Sequence, residues 1–193
     1  MDEQQPMNMG WGRFAAMIAA STTIMFFLMY QLVYSWEHAL FSLTRFVSSL
    51  LMGCVMTAVM LAFMWRMYRP AATKVFVLAV AVLGGAVVLA VNRSQALIGD
   101  TDFMKSMIPH HSIAINNARR ADIRDPRVRY LADRITRDQV KEIAEMKLLI
   151  EDIEQNGRRA EVQLPARPAT LTDEGEREAR ELVSGKLLEQ KPL

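Results

Sequence analysis

The chain has 193 residues, of which 51% are hydrophobic, and a formal net charge of +2 at pH 7. A charge so near zero gives no indication of nucleic-acid binding, and basic and acidic residues balance in the second half of the chain, so we expect no nucleic-acid partner. The one cysteine excludes an internal disulfide, and Cys54 lies in an apolar run, which favours a small buried residue over a reactive thiol.

Three apolar runs in the first half of the chain are long enough to cross a bilayer. They cover roughly residues 14–34, 46–65 and 75–91, and together they predict a membrane domain over residues 1–92. The first run is too long for the apolar core of a signal peptide and no small-residue cleavage site follows it. We therefore expect it to stay in the protein as an anchor.

The distribution of basic residues predicts the orientation of these spans. The loop after the second span carries Arg66, Arg69 and Lys74, whereas the loop after the first span carries only Arg45. Because basic loops stay on the cytoplasmic side, the N-terminus is predicted to be cytoplasmic and residues 93–193 periplasmic. In a Gram-negative bacterium this orientation would make it a multi-pass protein of the inner membrane.

Methionines in the first two spans allow two interpretations. Steps of three and four residues keep those of the second span on one helix face. They are suited to adaptable apolar packing between helices. They are equally suited to a thioether path for Cu(I). The second span contains Met52, Met56, Met60, Met64 and Met67, and the first adds Met17, Met25 and Met29.

The first external loop places Glu37 and His38 at the membrane surface. A single interfacial histidine is more often a hydrogen-bonded surface group than a metal ligand. His38 is nevertheless predicted to lie on the same side of the membrane as the aqueous half, so it is a secondary candidate ligand.

The aqueous half begins with two predicted helices, over residues 93–156. The first runs from about residue 102 to residue 121, capped by Asp100 or Thr101. The second follows Asp125 as N-cap and Pro126 at the first helical position, and it ends near residue 155 before Asn156-Gly157. Residues 157–193 are predicted to be a mobile charged tail with a possible polar helix over 172–188.

Sulfur and imidazole groups are concentrated on these two helices. Those of the first helix fall within an arc of about 120° on one face. Three polar or sulfur-bearing residues of the second form a stripe of their own. Thioether and imidazole together suit copper, particularly Cu(I). The candidate ligands are Met104, Met107, His110, His111, Glu142 and Met146, with Gln139 as a secondary candidate.

The expected core stripe of the second helix contains two polar groups. A buried carboxylate needs a partner or a metal, which makes Glu142 informative. Neighbouring helix residues point about 100° apart, so His110 and His111 cannot both bind one ion unaided. One of them could be a ligand while the other reaches the second helix or another subunit. The stripe consists of Leu131, Ile135, Gln139, Glu142, Met146, Leu149 and Ile153.

The string FMKSMIPHHSIAI, followed by LADRITRDQVKEIAEMKLLI, resembles a bacterial family named domain of unknown function 305. The resemblance covers roughly residues 98–155, and the membrane half is similar to a three-span subgroup. It implies a ferritin-like fold of two-helix repeats, and copper binding and resistance for some members. Carried over by position, it assigns the family's histidine pair to His110 and His111, its methionines to Met104, Met107 and Met146, and its polar pair to Gln139 and Glu142.

The sequence thus predicts an all-α protein: three transmembrane helices, a two-helix antiparallel hairpin and a mobile tail. A first hypothesis is a periplasmic copper-binding protein for sequestration or handover. A second is a structural or signalling module whose His-His/Glu network fixes the helix pair. Enzymatic activity is not expected, because no Glu-x-x-His motif, phosphate loop or dinucleotide fingerprint occurs. Because one hairpin buries little core, we expect a homodimer through the two-helix domain.

Overall fold

The computed structural model of the protein describes residues 10–186, and this range is helical with no strand. The predicted all-α fold, with three apolar helices followed by a helical region, is confirmed. Two short 3-10 helices lie at Trp36–His38 and Trp65–Met67. The α-helices are α1 (Trp11–Leu28), α2 (Leu43–Phe63), α3 (Ala71–Ser94), α4 (Asp100–Arg120), α5 (Pro126–Asn156) and α6 (Asp173–Ser184).

The described residues divide into two compact units. The first contains the residues up to Gln31 together with Leu40–Ser106, and so holds α1, α2, α3 and the first turns of α4. The second contains Leu32–Ala39 together with the residues from Met107 onward. The loop between α1 and α2 therefore packs with the aqueous helices.

Helices α1, α2 and α3 are each long and apolar enough to cross a membrane. Helix α1 ends at Leu28, although the apolar run continues to Tyr34. The chain turns there because the side chain of Tyr30 accepts a hydrogen bond from Ser42 N, 3.1 Å away, and Met29 O accepts one from the Arg45 guanidinium. These contacts join the end of α1 to the start of α2.

Helix α2 lies between its two neighbours and approaches both closely. A Cβ atom on Gly53 would lie 2.7 Å from Thr22 Oγ1 of α1, and a Cβ atom on Gly85 of α3 would lie 3.3 Å from Cys54 Cβ. Glycine is required where two helices come this close, because any side chain would separate them. Cys54 is a free, half-buried thiol in this contact.

An aromatic cluster closes one end of the membrane unit. Trp11, Phe14 and Tyr68 pack with ring centroids 5.0–5.9 Å apart, and Trp11 Nε1 donates to Arg69 O at 2.9 Å. The Lys74 ammonium lies 4.5 Å from the centre of the Trp65 ring. Four of the methionines pack against Phe14, Leu61 and Tyr68, as the apolar-packing interpretation expects: Met17, Met60, Met64 and Met67.

The second unit is built on the antiparallel pair α4 and α5. Phe103 N donates to Gly99 O at 2.8 Å, so α4 begins at Asp100, slightly earlier than predicted. Asp125 caps α5 as predicted, accepting from Arg127 N at 2.8 Å. Hydrogen bonds from Arg127 lower the pKa of Asp125 to about 2. Helix α5 ends at Gly157, whose φ of 78° favours glycine.

Helix α6 occupies part of the region predicted as a polar helix. Thr172 caps it by accepting from Gly175 N at 3.1 Å, and Gly185 ends it with a φ of 82°. The Arg127 guanidinium donates to Val183 O at 2.9 Å, which ties α6 to the start of α5. The α6 side chains remain mostly exposed.

Candidate functional site

One polar contact joins α4 to α5 at the middle of the hairpin. The His111 Nε2 atom lies 2.8 Å from Glu142 Oε2, and its Nδ1 atom lies 2.9 Å from Met107 O. The His111 side chain is 10% exposed and that of Glu142 is 48% exposed. A second link, from Arg129 Nη2 to Ala118 O at 2.9 Å, fixes the helices nearer the turn.

In this arrangement the Nδ1 atom of His111 donates a hydrogen bond, and the Nε2 atom shares a proton with Glu142. A carbonyl oxygen can only accept, so Nδ1 carries a hydrogen towards Met107 O. The 2.8 Å contact to Glu142 then requires a second proton between Nε2 and the carboxylate. The pair is therefore an imidazolium bonded to a carboxylate, or a neutral imidazole bonded to a carboxylic acid.

Two methionines lie one helical turn from this contact. Because the helices are antiparallel and His111 faces Glu142, the turn before His111 faces the turn after Glu142. From this register we expect Met107 of α4 to face Met146 of α5. Met146 is buried and Met107 is half-buried. Four of the predicted ligands thus belong to two facing turns of the hairpin.

The other predicted ligands are arranged differently. His110 is exposed, with its ring centroid 5.9 Å from that of His111 and its plane inclined at 67°. Gln139 Nε2 lies 3.3 Å from Glu142 Oε2, so Gln139 supports the carboxylate. Met104 is buried but belongs to the first unit. The site is therefore built from the second unit without it.

The predicted core stripe of α5 is wrong in its position on the helix. Ile135 and Leu149 are exposed, and Glu142 is half-exposed instead of buried. The observed stripe is rotated by about 60° relative to the predicted one. Its members are Ala132, Ile143, Met146 and Ile150.

The rotation has a cause that sequence patterning missed, namely the loop Leu32–Ala39. Ser112 of α4 is fully buried and its hydroxyl accepts from Tyr34 N at 2.8 Å. The same oxygen lies 3.0 Å from His38 Nδ1. The loop also reaches α5, where Lys147 Nζ lies 3.7 Å from Glu37 Oε1. The core of the second unit is thus formed by α4, α5 and the Leu32–Ala39 loop, and not by the two helices alone.

His38 is a buried hydrogen-bonding group in this unit. Burial lowers the pKa of His38 below its ordinary value of 6.5, Lys147 lowers it further, and Glu37 acts in the opposite direction. A neutral ring can accept the Ser112 hydroxyl proton at Nδ1 and direct Nε2–H towards Glu37 Oε1, 3.5 Å away. Both ring nitrogens then have protein partners.

Within residues 10–186, no three His, Cys, Asp or Glu side chains cluster in a way that could hold a metal ion. His111 and Glu142 are a pair, two ligands short of a tetrahedral zinc site.

Comparisons with known proteins support the resemblance in the aqueous half. Residues 100–189 match the family model described as "Domain of unknown function (DUF305)", and this match includes α6. The chain is 40% identical over 62 residues to "Uncharacterized protein L153" of Acanthamoeba polyphaga mimivirus. That alignment covers 31% of this chain and 41% of the viral protein. No solved structure matches the chain.

Proposed function

We propose that the protein is a membrane-anchored metal-binding protein whose α4–α5 hairpin binds copper as Cu(I). Its role would be copper sequestration or handover in metal homeostasis or resistance, in a bacterial inner membrane with the N-terminus cytoplasmic and the hairpin periplasmic. The observation that carries the proposal is the pairing of His111 and Glu142 across the hairpin, with Met107 and Met146 in the same two turns.

The donor set favours a soft ion over a hard one. Among the described residues of the site, His111 and Glu142 are the only side chains of the types that usually bind zinc, and two are too few for a zinc site. Thioether sulfur from Met107 and Met146 would supply the remaining ligands. Thioethers and imidazole select Cu(I), whereas magnesium and calcium require oxygen ligands. Half-exposed Glu142 lies on the open side of the site, where an ion would enter.

The His111 ring must release the proton that it shares with Glu142 before Nε2 can act as a ligand. Metal binding and proton binding therefore compete for the same nitrogen. Met107 O keeps the ring oriented through Nδ1 during this exchange, as an outer hydrogen-bond acceptor does for ligating histidines. Copper affinity should accordingly fall as the pH is lowered.

A competition titration of the full-length protein in detergent tests the proposal. Cu(I) is partitioned between the protein and a chromophoric chelator under reducing conditions. The double variant Met107→Leu/Met146→Leu removes both sulfurs with little change in volume, and we expect it to weaken binding by at least about 100-fold. The control is Met52→Leu/Met56→Leu in α2, which should bind as the wild type does.

Equal affinity in the wild type and in Met107→Leu/Met146→Leu would refute the copper site. Equal losses in both double variants would assign the copper to methionines in general and would count against a site in the hairpin.

A second candidate function is a structural or signalling module. The observation that favours it is that both His111 ring nitrogens already have protein partners without a metal. On both proposals His111→Ala destabilises the metal-free hairpin by about 1–3 kcal/mol, and on this alternative copper adds no stability. On the copper proposal, Cu(I) raises the unfolding temperature of the wild type and not of the Met107→Leu/Met146→Leu variant.

A further inference from the structure

Helix α5 carries an apolar face that the described elements cover only in part, since Met146 within it is buried whereas other members are exposed. Its exposed members begin near the start of the helix and recur towards its end, within an arc of about 60° that also contains Glu142. Val128 is 48% exposed, Ile135 is 37% exposed and Leu149 is 50% exposed, and Leu131 is half-buried between them. A helix that is buried on one face only does not normally expose a second apolar stripe.

A band of charges lies directly beside this face, in the next arc of about 60°. Two basic residues, Arg127 and Arg134, lie before the midpoint between Gln139 and Val140. Two acidic residues, Asp152 and Glu145, lie after it at the same distances along the helix. The pair nearest the midpoint, Asp138 and Lys141, has the opposite order, with the acidic residue first. In chain order the band consists of Arg127, Arg134, Asp138, Lys141, Glu145 and Asp152.

This charge pattern is complementary to itself when the helix is reversed. A two-fold axis between Gln139 and Val140 brings Arg134 opposite the second copy's Glu145 position. The same axis pairs the position of Arg127 with that of Asp152. In the single chain Arg127 bonds to Asp125 and to Val183 O of α6, and Glu145 lies 3.4 Å from Lys141 Nζ, so the dimer would exchange these contacts for contacts between chains. In an antiparallel helix pair a given flank meets the same flank of the partner, which is the isologous contact of a two-fold dimer. Parallel helices would bring different flanks together.

We propose that α5 pairs with α5 of a second copy of this chain, antiparallel, about a two-fold axis between Gln139 and Val140. The exposed apolar residues on both sides of the axis form the contact and the charge band forms its rim. Glu142 lies within the contact, so dimerisation would cover the side of the site from which an ion would enter. Arg134 is available for this contact, since within residues 10–186 it has no ion-pair or hydrogen-bond partner. The inference goes beyond copper binding and involves no metal ion.

Charge exchange tests the register, using full-length protein in lipid vesicles and energy transfer between labelled copies to measure dimerisation. Arg134→Glu alone and Glu145→Arg alone should each weaken the dimer by about tenfold, since each replaces two attractive pairs by two repulsive ones. The double variant Arg134→Glu/Glu145→Arg should restore wild-type dimerisation. These residues lie about 16 Å apart on one helix, so rescue requires contact between chains.

The matched control is Arg134→Glu/Asp152→Arg, which has the same net charge. Because position 152 does not face position 134 in the proposed register, this variant should not restore dimerisation. A failure of the first double variant to restore the dimer, or equal rescue by both, would overturn the proposed register.

Site-directed cross-linking tests the direction of the helices, in a Cys54→Ser background with a short bifunctional thiol reagent. Asp138→Cys lies beside the axis and should give cross-linked dimers. Arg127→Cys should not, because the antiparallel arrangement separates its two copies by about 37 Å. Cross-linking at both positions would indicate parallel helices, and monomer at both would mean that another partner covers the face. Either result would overturn the proposal.

Discussion

The contact between His111 and Glu142 makes a quantitative prediction for the metal-free protein. Truncating either side chain removes the same hydrogen bond between α4 and α5. Truncating Glu142 should therefore cost less stability in the His111→Ala variant than in the wild type. A double-mutant cycle of His111→Ala, Glu142→Ala and both together isolates this coupling from the other effects of each substitution.

The size of the coupling follows from the exposure of the two groups. A hydrogen bond to a charged group stabilises by about 1.5–3 kcal/mol when both partners are buried. An exposed ion pair contributes about 0.2–1 kcal/mol, because solvent screens it. His111 is 10% exposed and Glu142 is 48% exposed. We therefore expect a coupling of about 1–1.5 kcal/mol.

Hydrogen exchange measures this coupling as a local opening free energy, without requiring the membrane helices to unfold reversibly. The probes are the amides near Ile143, in the buried stripe of α5, with a chelator present to remove metal. A cycle on Asp122 and Arg124, an exposed pair in the turn, serves as the control and should show no coupling. A coupling below about 0.3 kcal/mol for His111 and Glu142 would refute the inferred bond.

Three further predictions follow from the described contacts. His38→Gln should flatten the pH dependence of exchange in the Leu32–Ala39 loop. The reason is that the pKa of His38 is lowered on folding, so its contribution to stability is present above pH 6.5 and is lost as the pH falls through the lowered value. His110→Ala should change the thermal stability by less than about 0.5 kcal/mol, because the ring is exposed. Gly53→Leu should destabilise the α1–α2 contact by about 1–3 kcal/mol in denaturant titration, whereas Gly84→Leu should not, because nothing lies within 4 Å of a Cβ atom there.

Sequence patterning predicted the helices well where the signals were local. Asp125 before Pro126, and Gly157 after the last turn, specify the ends of α5 by capping chemistry that needs no tertiary partner. The long apolar runs specify α2 and α3 in the same way. The end of α1 was missed because the turn after Leu28 depends on Tyr30 and on residues of the next helix.

The burial of the site was harder to predict because it depends on a distant segment. The sequence pattern of α5 predicts a buried stripe through Ile135 and Glu142, because it contains no information on the loop near residue 38. In the structure that loop packs on Ser112 and Lys147, so the buried face of α5 is rotated and Glu142 is left half-exposed. The available signal in the sequence was Ser112, a small polar residue that lies one turn from the apolar Ile108 and Ile115 on α4.

X-ray absorption at the copper edge, on full-length protein loaded with one equivalent of Cu(I), tests the copper proposal most directly. We predict a first shell that contains both sulfur and imidazole nitrogen, and loss of the sulfur signal in the Met107→Leu/Met146→Leu variant. A first shell of nitrogen and oxygen alone, or a sulfur signal unchanged in that variant, would contradict the proposed site in the hairpin.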